Sequence, residues 1–185
     1  VIISEGEVLE LANDKNLEIN EDIYFDVVNA KTASLFSAAC QVGSISANAS
    51  KTEINALKSF GTNFGMTFQL VDDAIDYSSN KKILGKNTGD DFKEGKITLP
   101  IILAYGRSNE KEKKFWKRTI SELNQEEGDF DNALDIINKY QCIQDTITRA
   151  NHFSNVAIDS IDIFKNNIFK EKLAALVSTS ISRIY

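Results

Sequence analysis

The chain is 185 residues long with 42% hydrophobic side chains, which suffices for one domain with a sizeable core. Its 27 acidic against 21 basic residues argue against nucleic acid as a general partner, because phosphate-backbone binding rests on clustered lysine and arginine. No apolar run approaches the ~20 residues that span a bilayer, and no basic-plus-apolar leader opens the chain, so no transmembrane segment and a cytoplasmic location are expected.

A single proline, Pro100, nine glycines and long periodic segments predict an all-α protein. A short helix is expected over 4–12, then a polar loop over 13–20. Glu21 and Asp22 start a long helix toward Ala47, rich in small residues such as Ala30, Ala33, Ser34, Ala38 and Gly43. Ser50 with Glu53 three residues later matches a capping box and starts a third helix that reaches Tyr77. Gly61 and Gly65 lie on it. Each costs up to about 1 kcal/mol relative to alanine inside a helix, so a tight helix crossing there is the expected compensation.

That third helix carries the chemistry. Gln69, Asp72, Asp73 and Asp76 stand at offsets 0, 3, 4 and 7, so all four project from one stripe of an otherwise apolar run. Like charges at this spacing oppose each other by roughly 0.2–0.5 kcal/mol per exposed pair, and by more when buried, so the stripe calls for a cation. Oxygen-only ligands point to a hard ion, Mg2+, which is commonly held by one or two carboxylates together with substrate phosphate. Residues 80–96 follow, with Gly85, Gly89 and Gly95 among clustered lysines, and read as a positively charged lid suited to diphosphate oxygens.

Beyond the lid, Thr98 is the expected N-cap of a helix through Tyr105, with Pro100 in its first turn. Four more amphipathic helices are expected over 110–123, 129–139, 143–164 and 169–184. Lys31 lies on an apolar stretch of the second helix, where it either snorkels to solvent or meets a diphosphate. His152 is expected to be structural, Cys40 and Cys142 to be small core residues, and Arg107, Arg118 and Arg149 to lie on solvated helix faces.

Several motifs together carry a family resemblance across essentially the whole chain. They are Glu5-Gly6-Glu7-Val8, Lys31-Thr32-Ala33, Phe68-Gln69-Leu70-Val71-Asp72-Asp73-Ala74-Ile75-Asp76, Gly85-Lys86, Gly89-Asp90-Asp91 and Gly95-Lys96-Ile97-Thr98-Leu99-Pro100. The chain resembles the trans-isoprenyl diphosphate synthases, especially the octaprenyl diphosphate synthase-like, long-chain type. The resemblance implies a helical bundle of the isoprenoid synthase type. It also implies Mg2+-dependent addition of isopentenyl diphosphate to an allylic diphosphate. By the same resemblance Asp72 is the direct metal ligand, with Asp73 and Asp76 supporting it. Lys31, Thr32, Gln69 and Lys86 match allylic-diphosphate contacts, Lys96 the lysine of the closing loop, and Phe68 a residue near the isopentenyl site. Lys31, Asp72 and Lys86 are the residues expected to act in the reaction itself.

One departure is large: the family's first aspartate-rich motif and the paired arginines after it are not found. The chain is therefore expected to be the C-terminal part of a single synthase domain, lacking N-terminal helices, inactive alone, and completed by homodimerisation or by the N-terminal portion. A noncatalytic partner subunit of such a synthase is the alternative, and a helical scaffold with an incidental metal site is a third.

Overall fold

The computed structural model describes residues 1–78 and 89–183. Among the described residues every regular element is helical, as expected. Helix α1 (Ile2–Ala12) begins two residues ahead of the expected start. Helix α2 (Glu21–Val28) is capped by Asn20, whose side chain accepts from the Ile23 amide at 3.0 Å. The long second helix is not continuous α-helix: residues Asn29–Ala33 form a wider π-helical stretch before α3 (Ser34–Ser46). Such a stretch inserts an extra residue and rephases the faces on either side. Here it turns Ala33, fully buried, onto the neighbouring helix while Lys31 and Thr32 face a cleft.

Helix α4 (Lys51–Asp76) runs through the centre, starting at the Ser50/Glu53 capping box, in which both reciprocal hydrogen bonds are present. Leu70, Val71 and Ala74 along it are fully buried. The glycine crossing is present. A Cβ on Gly61 would stand 2.5 Å from the Phe36 carbonyl oxygen, and one on Gly65 would stand 2.6 Å from the Ala33 Cα. On that side α3 therefore lies against bare backbone, and α9 (Cys142–Ser160) covers another face of α4. A second, smaller cluster of Phe60, Ala157, Ile161 and Val177 ties α10 (Ile168–Ser182) to α4 and α9.

The expected lid differs in its second half. Residues 79–88, which hold Lys86, lie outside the described residues. Beyond them Asp90–Glu94 form a short helix, α5, bounded by Gly89 and Gly95 in the left-handed region at φ 85° and 69°. It forms because Asp76 takes the amides of Gly89 and Asp91 at 3.2 and 3.1 Å, satisfying donors a free loop would leave to water.

Helix α6 (Leu99–Arg107) starts with Thr98 at its N-cap and Pro100 in its first turn, but Thr98 makes no side-chain cap bond. Helix α7 (Glu110–Trp116) is continued by a π-helical stretch, Lys117–Ser121, where one helix over 110–123 was expected. Helix α8 (Asp129–Lys139) matches its expected bounds, and α9 stops at Ser160, four residues short of Phe164. The three arginines expected to be solvated are cross-ties between elements. Arg107 pairs with Asp145, Arg118 with Asp129, and Arg149 with Glu21, at 2.5, 2.7 and 2.6 Å. Their partners come from other elements, which helix-face reasoning from sequence does not see.

Candidate functional site

A cleft of about 620 Å³ opens between α1, α2 with its wide turn, α4 and the segment following α5. Six of the residues singled out in the sequence line it: Lys31, Thr32, Gln69, Asp72, Asp73 and Lys96. Phe68 and Asp76 lie beside it on α4, and Lys86 lies outside the described residues.

The acidic stripe divides into three different environments. Asp73 is buried and accepts from the Tyr24 hydroxyl at 2.5 Å and from Gln69 Nε2 at 2.8 Å. Burial is the main cause that pushes its carboxyl up to about 7. Asp91 and Asp72 add to the rise, and the Tyr24 and Gln69 hydrogen bonds oppose it. The relay continues outward: Thr32 Oγ1 donates to Gln69 Oε1 at 3.0 Å, which fixes which end of the amide faces which neighbour. Asp76 is turned onto the start of α5, and burial, reinforced by Asp91, raises its pKa against the backbone amides it accepts from.

Asp72 is the most open of the three, with 37% of its side chain exposed. Its Oδ1 is 3.1 Å from Arg183 Nη2 at the end of α10, and the same guanidinium lies 5.2 Å from the Phe68 ring centroid. Phe68 in turn is 5.6 Å from Phe36, which meets Phe64 edge-on at 5.2 Å, so an aromatic wall continues along α4 from the acidic stripe.

Two of the three lysines that line the cleft, Lys31 and Lys96, are engaged by neighbouring carboxylates. Lys31 is paired with Glu10 and Glu7 of α1, with the Glu7 contact at 3.1 Å. Burial works to lower its pKa, but the hydrogen bonds from the two glutamates outweigh it and the pKa rises. Gly6 makes this geometry possible, since a Cβ there would stand 2.6 Å from the Ala30 Cβ and 3.0 Å from the Lys31 Cγ. Lys96 sits between Glu94 at 2.7 Å and Asp91 at 3.2 Å, and Glu94 above all holds its pKa up.

The described lining holds seven carboxyl groups, Glu7, Glu10, Asp14, Asp72, Asp73, Asp91 and Glu94, against three lysines, Lys15, Lys31 and Lys96. Among the described residues, an anionic ligand is therefore met through a cation or by drawing these lysines from their partners. No group of three or more His, Cys, Asp or Glu side chains gathers into a ready metal cage among the described residues. That donor set fits a hard divalent ion shared between one or two carboxylates and ligand phosphate, and Asp72 is one of the carboxylates that line the cleft.

Sequence reading missed Tyr24, Glu10 and Arg183 as site residues. Asp91 and Glu7 lie within recognised motifs, whereas Arg183 has no local signal at all.

A family profile described as polyprenyl synthetase matches residues 1–137. The octaprenyl diphosphate synthase of Haemophilus influenzae is 35% identical over 184 residues, covering 100% of this chain and 56% of that protein. The octaprenyl diphosphate synthase of Escherichia coli is 33% identical, covering 98% and 56%. In three dimensions the chain matches a decaprenyl diphosphate synthase from Rhodobacter capsulatus with a TM-score of 0.93 at 38% identity, covering 100% and 57%. It also matches a polyprenyl synthase from Caulobacter crescentus complexed with calcium and isoprenyl diphosphate, with a TM-score of 0.93 at 39% identity, covering 100% and 56%. The chain thus spans about half the length of the relatives it matches.

Proposed function

Because the chain belongs to the polyprenyl synthetase family, we propose that it is the C-terminal part of a prenyltransferase adding isopentenyl diphosphate to an allylic diphosphate to give a long-chain polyprenyl diphosphate. The carrying observation is the convergence of Lys31, Thr32, Gln69, Asp72 and Lys96 on one cleft, from three separate stretches of sequence.

Asp72 would hold a divalent cation, Mg2+, with substrate phosphate supplying further oxygen ligands. When bound, that ion neutralises charge developing on the departing diphosphate. Lys31 and Lys96 leave their glutamate and aspartate partners to bind diphosphate oxygens, and Lys86 is assigned to the same group by its motif. Thr32 and the amide of Gln69 orient the allylic end, with Gln69 held in turn by Asp73 and Tyr24. Phe68 with Phe36 and Phe64 gives an apolar, π-rich flank to shelter cationic and hydrocarbon portions of the substrate. The calcium and isoprenyl diphosphate named with the Caulobacter crescentus relative support a cation-plus-diphosphate ligand. Asp73 and Asp76 act behind Asp72, the first being buried among Tyr24 and Gln69 and the second turned onto the backbone amides that start α5.

The test incubates the purified chain with Mg2+, farnesyl diphosphate and labelled isopentenyl diphosphate, with and without the N-terminal portion of a synthase. Polyprenyl product that requires the N-terminal portion is the expected result. No product in either case, together with stimulation of an intact synthase, would replace this reading by that of a noncatalytic partner subunit. Homodimerisation through the same fold and a cytoplasmic location complete the proposal, the first checked by sedimentation and the second by fractionation.

A further inference from the structure

Arg183 is separated by 111 residues from Asp72, yet its guanidinium donates to the Asp72 carboxylate at 3.1 Å and stacks toward Phe68. The register is set by packing. Leu173 and Val177 of α10 join Leu57, Phe60 and Phe64 of α4 in one apolar cluster, so α10 lies along α4 in the same sense and delivers its last turn to the acidic stripe.

We propose that Arg183 is a latch on the metal-binding carboxylate: a divalent cation entering at Asp72 must displace the guanidinium, and its binding thereby releases the end of α10. The inference rests on the assignment of Asp72 above. A cation of charge +2 and a guanidinium cannot both sit on one carboxylate oxygen without mutual repulsion, and a partly exposed ion pair is the weaker of the two competitors. Arg183 and Asp72 keep 26% and 37% of their side chains exposed, which places their pair in that class.

The end of α10 is built to let go. In its last two turns Val177 and Ser180 are buried and Ile181 packs on the main core, while Leu176, Ser178, Thr179 and Ser182 are exposed. The Arg183 amide closes on the Ser180 carbonyl at a long 3.4 Å. A last turn with its outer face in solvent and a long closing hydrogen bond opens at lower cost than the middle of the helix. Release would uncover Phe68 at the same time, so cation binding and access to the aromatic flank are linked through one side chain.

The experiment titrates Mn2+ alone into the intact protein, by electron paramagnetic resonance, for wild type, Arg183→Gln, Arg183→Lys and Asp72→Asn. Hydrogen exchange is followed over residues 176–183 in the same samples. Arg183→Gln is expected to tighten Mn2+ binding by about two- to five-fold, with Arg183→Lys closer to wild type. Mn2+ should speed exchange at the end of α10 in the wild type, and Asp72→Asn should do so without metal. Binding that requires Asp72 but is indifferent to Arg183, with exchange unchanged by metal, would overturn the latch and leave the proposed function standing. Failure of Mn2+ alone to bind any of the proteins would likewise overturn the latch and leave standing the proposed function, in which the ion enters together with substrate phosphate.

Discussion

Two aspartates of this protein are buried almost equally and behave in opposite ways. Asp129 is 4% exposed and receives both guanidinium nitrogens of Arg118, at 2.9 and 2.7 Å, together with the Glu126 amide at 2.7 Å. The Arg118 hydrogen bonds are the main cause that holds its carboxyl below the usual range. Asp73 is 3% exposed and receives only neutral donors, while Asp72 and Asp91 stand near it with the same charge. Its pKa goes up. The carboxylate that serves the fold receives a guanidinium counter-ion, whereas Asp73 on the α4 stripe is buried with hydroxyl and amide donors alone. Strained electrostatics of this kind, concentrated in a cleft, are what a cation-dependent site requires before its cation arrives.

The largest expected difference between Asp129 and the α4 stripe is in catalysis, read at Asp72. If the proposed function holds, Asp72→Ala in the complete enzyme should lower kcat/KM by about 10³ or more, since a divalent ion held there would supply several kcal/mol of charge stabilisation in the transition state. Asp129→Ala should leave kcat/KM unchanged and lower the thermal midpoint by a few degrees, at roughly 2–4 °C per kcal/mol for a chain of this size. Steady-state kinetics and calorimetry on the two variants check both. Equal kinetic losses would dissolve the distinction between a structural and a functional carboxylate here.

A smaller effect sharpens the comparison through pH. The Asp73 carboxyl titrates near 4 in the unfolded chain and at about 7 in the folded one. Its contribution to stability is full below about pH 4 and is lost as the pH rises through about 7, by at most about 4 kcal/mol. Asp129 runs the other way. Its depressed pKa contributes stability above about pH 4 that is lost as the pH falls through its folded value. Urea unfolding between pH 4 and pH 8 should therefore show Asp73→Asn flattening the decline toward high pH, while Asp129→Asn leaves that limb unchanged. A wild-type stability curve that rises from pH 5 to pH 8 and is unaltered by Asp73→Asn would contradict the assignment.

What the sequence made legible follows from distance along the chain. The α4 capping box, the Gly61/Gly65 crossing and the face shared by Gln69, Asp72, Asp73 and Asp76 are all fixed within one helix, where spacing determines geometry. The π-helical stretches at Asn29–Ala33 and Lys117–Ser121 were not legible, because tertiary packing, not local propensity, decides where a helix widens. Helix α5 was read as part of a lid because its first amides are satisfied by Asp76, which precedes it by more than a dozen residues. The partners of the acidic stripe were least legible of all. Tyr24 meets Asp73 across 49 positions and Arg183 meets Asp72 across 111, and no periodicity spans such intervals.

The smallest expected effect concerns Lys31, whose two glutamates make it resemble the satisfied Arg118 more than a waiting ligand. If the cleft is the diphosphate site, that pairing is a cost the ligand must meet, because Lys31 has to turn from Glu10 toward phosphate. The pair is half exposed, so the cost is small, in the range of an ordinary surface ion pair. Glu10→Gln should then lower KM for the allylic diphosphate by about two- to five-fold with kcat unchanged, because binding is eased and no interaction made only in the transition state is touched. A rise in KM would carry a different meaning: that Glu10 holds the lysine in its working position within the wide turn, and that the ion pair prepares the site instead of competing with its ligand.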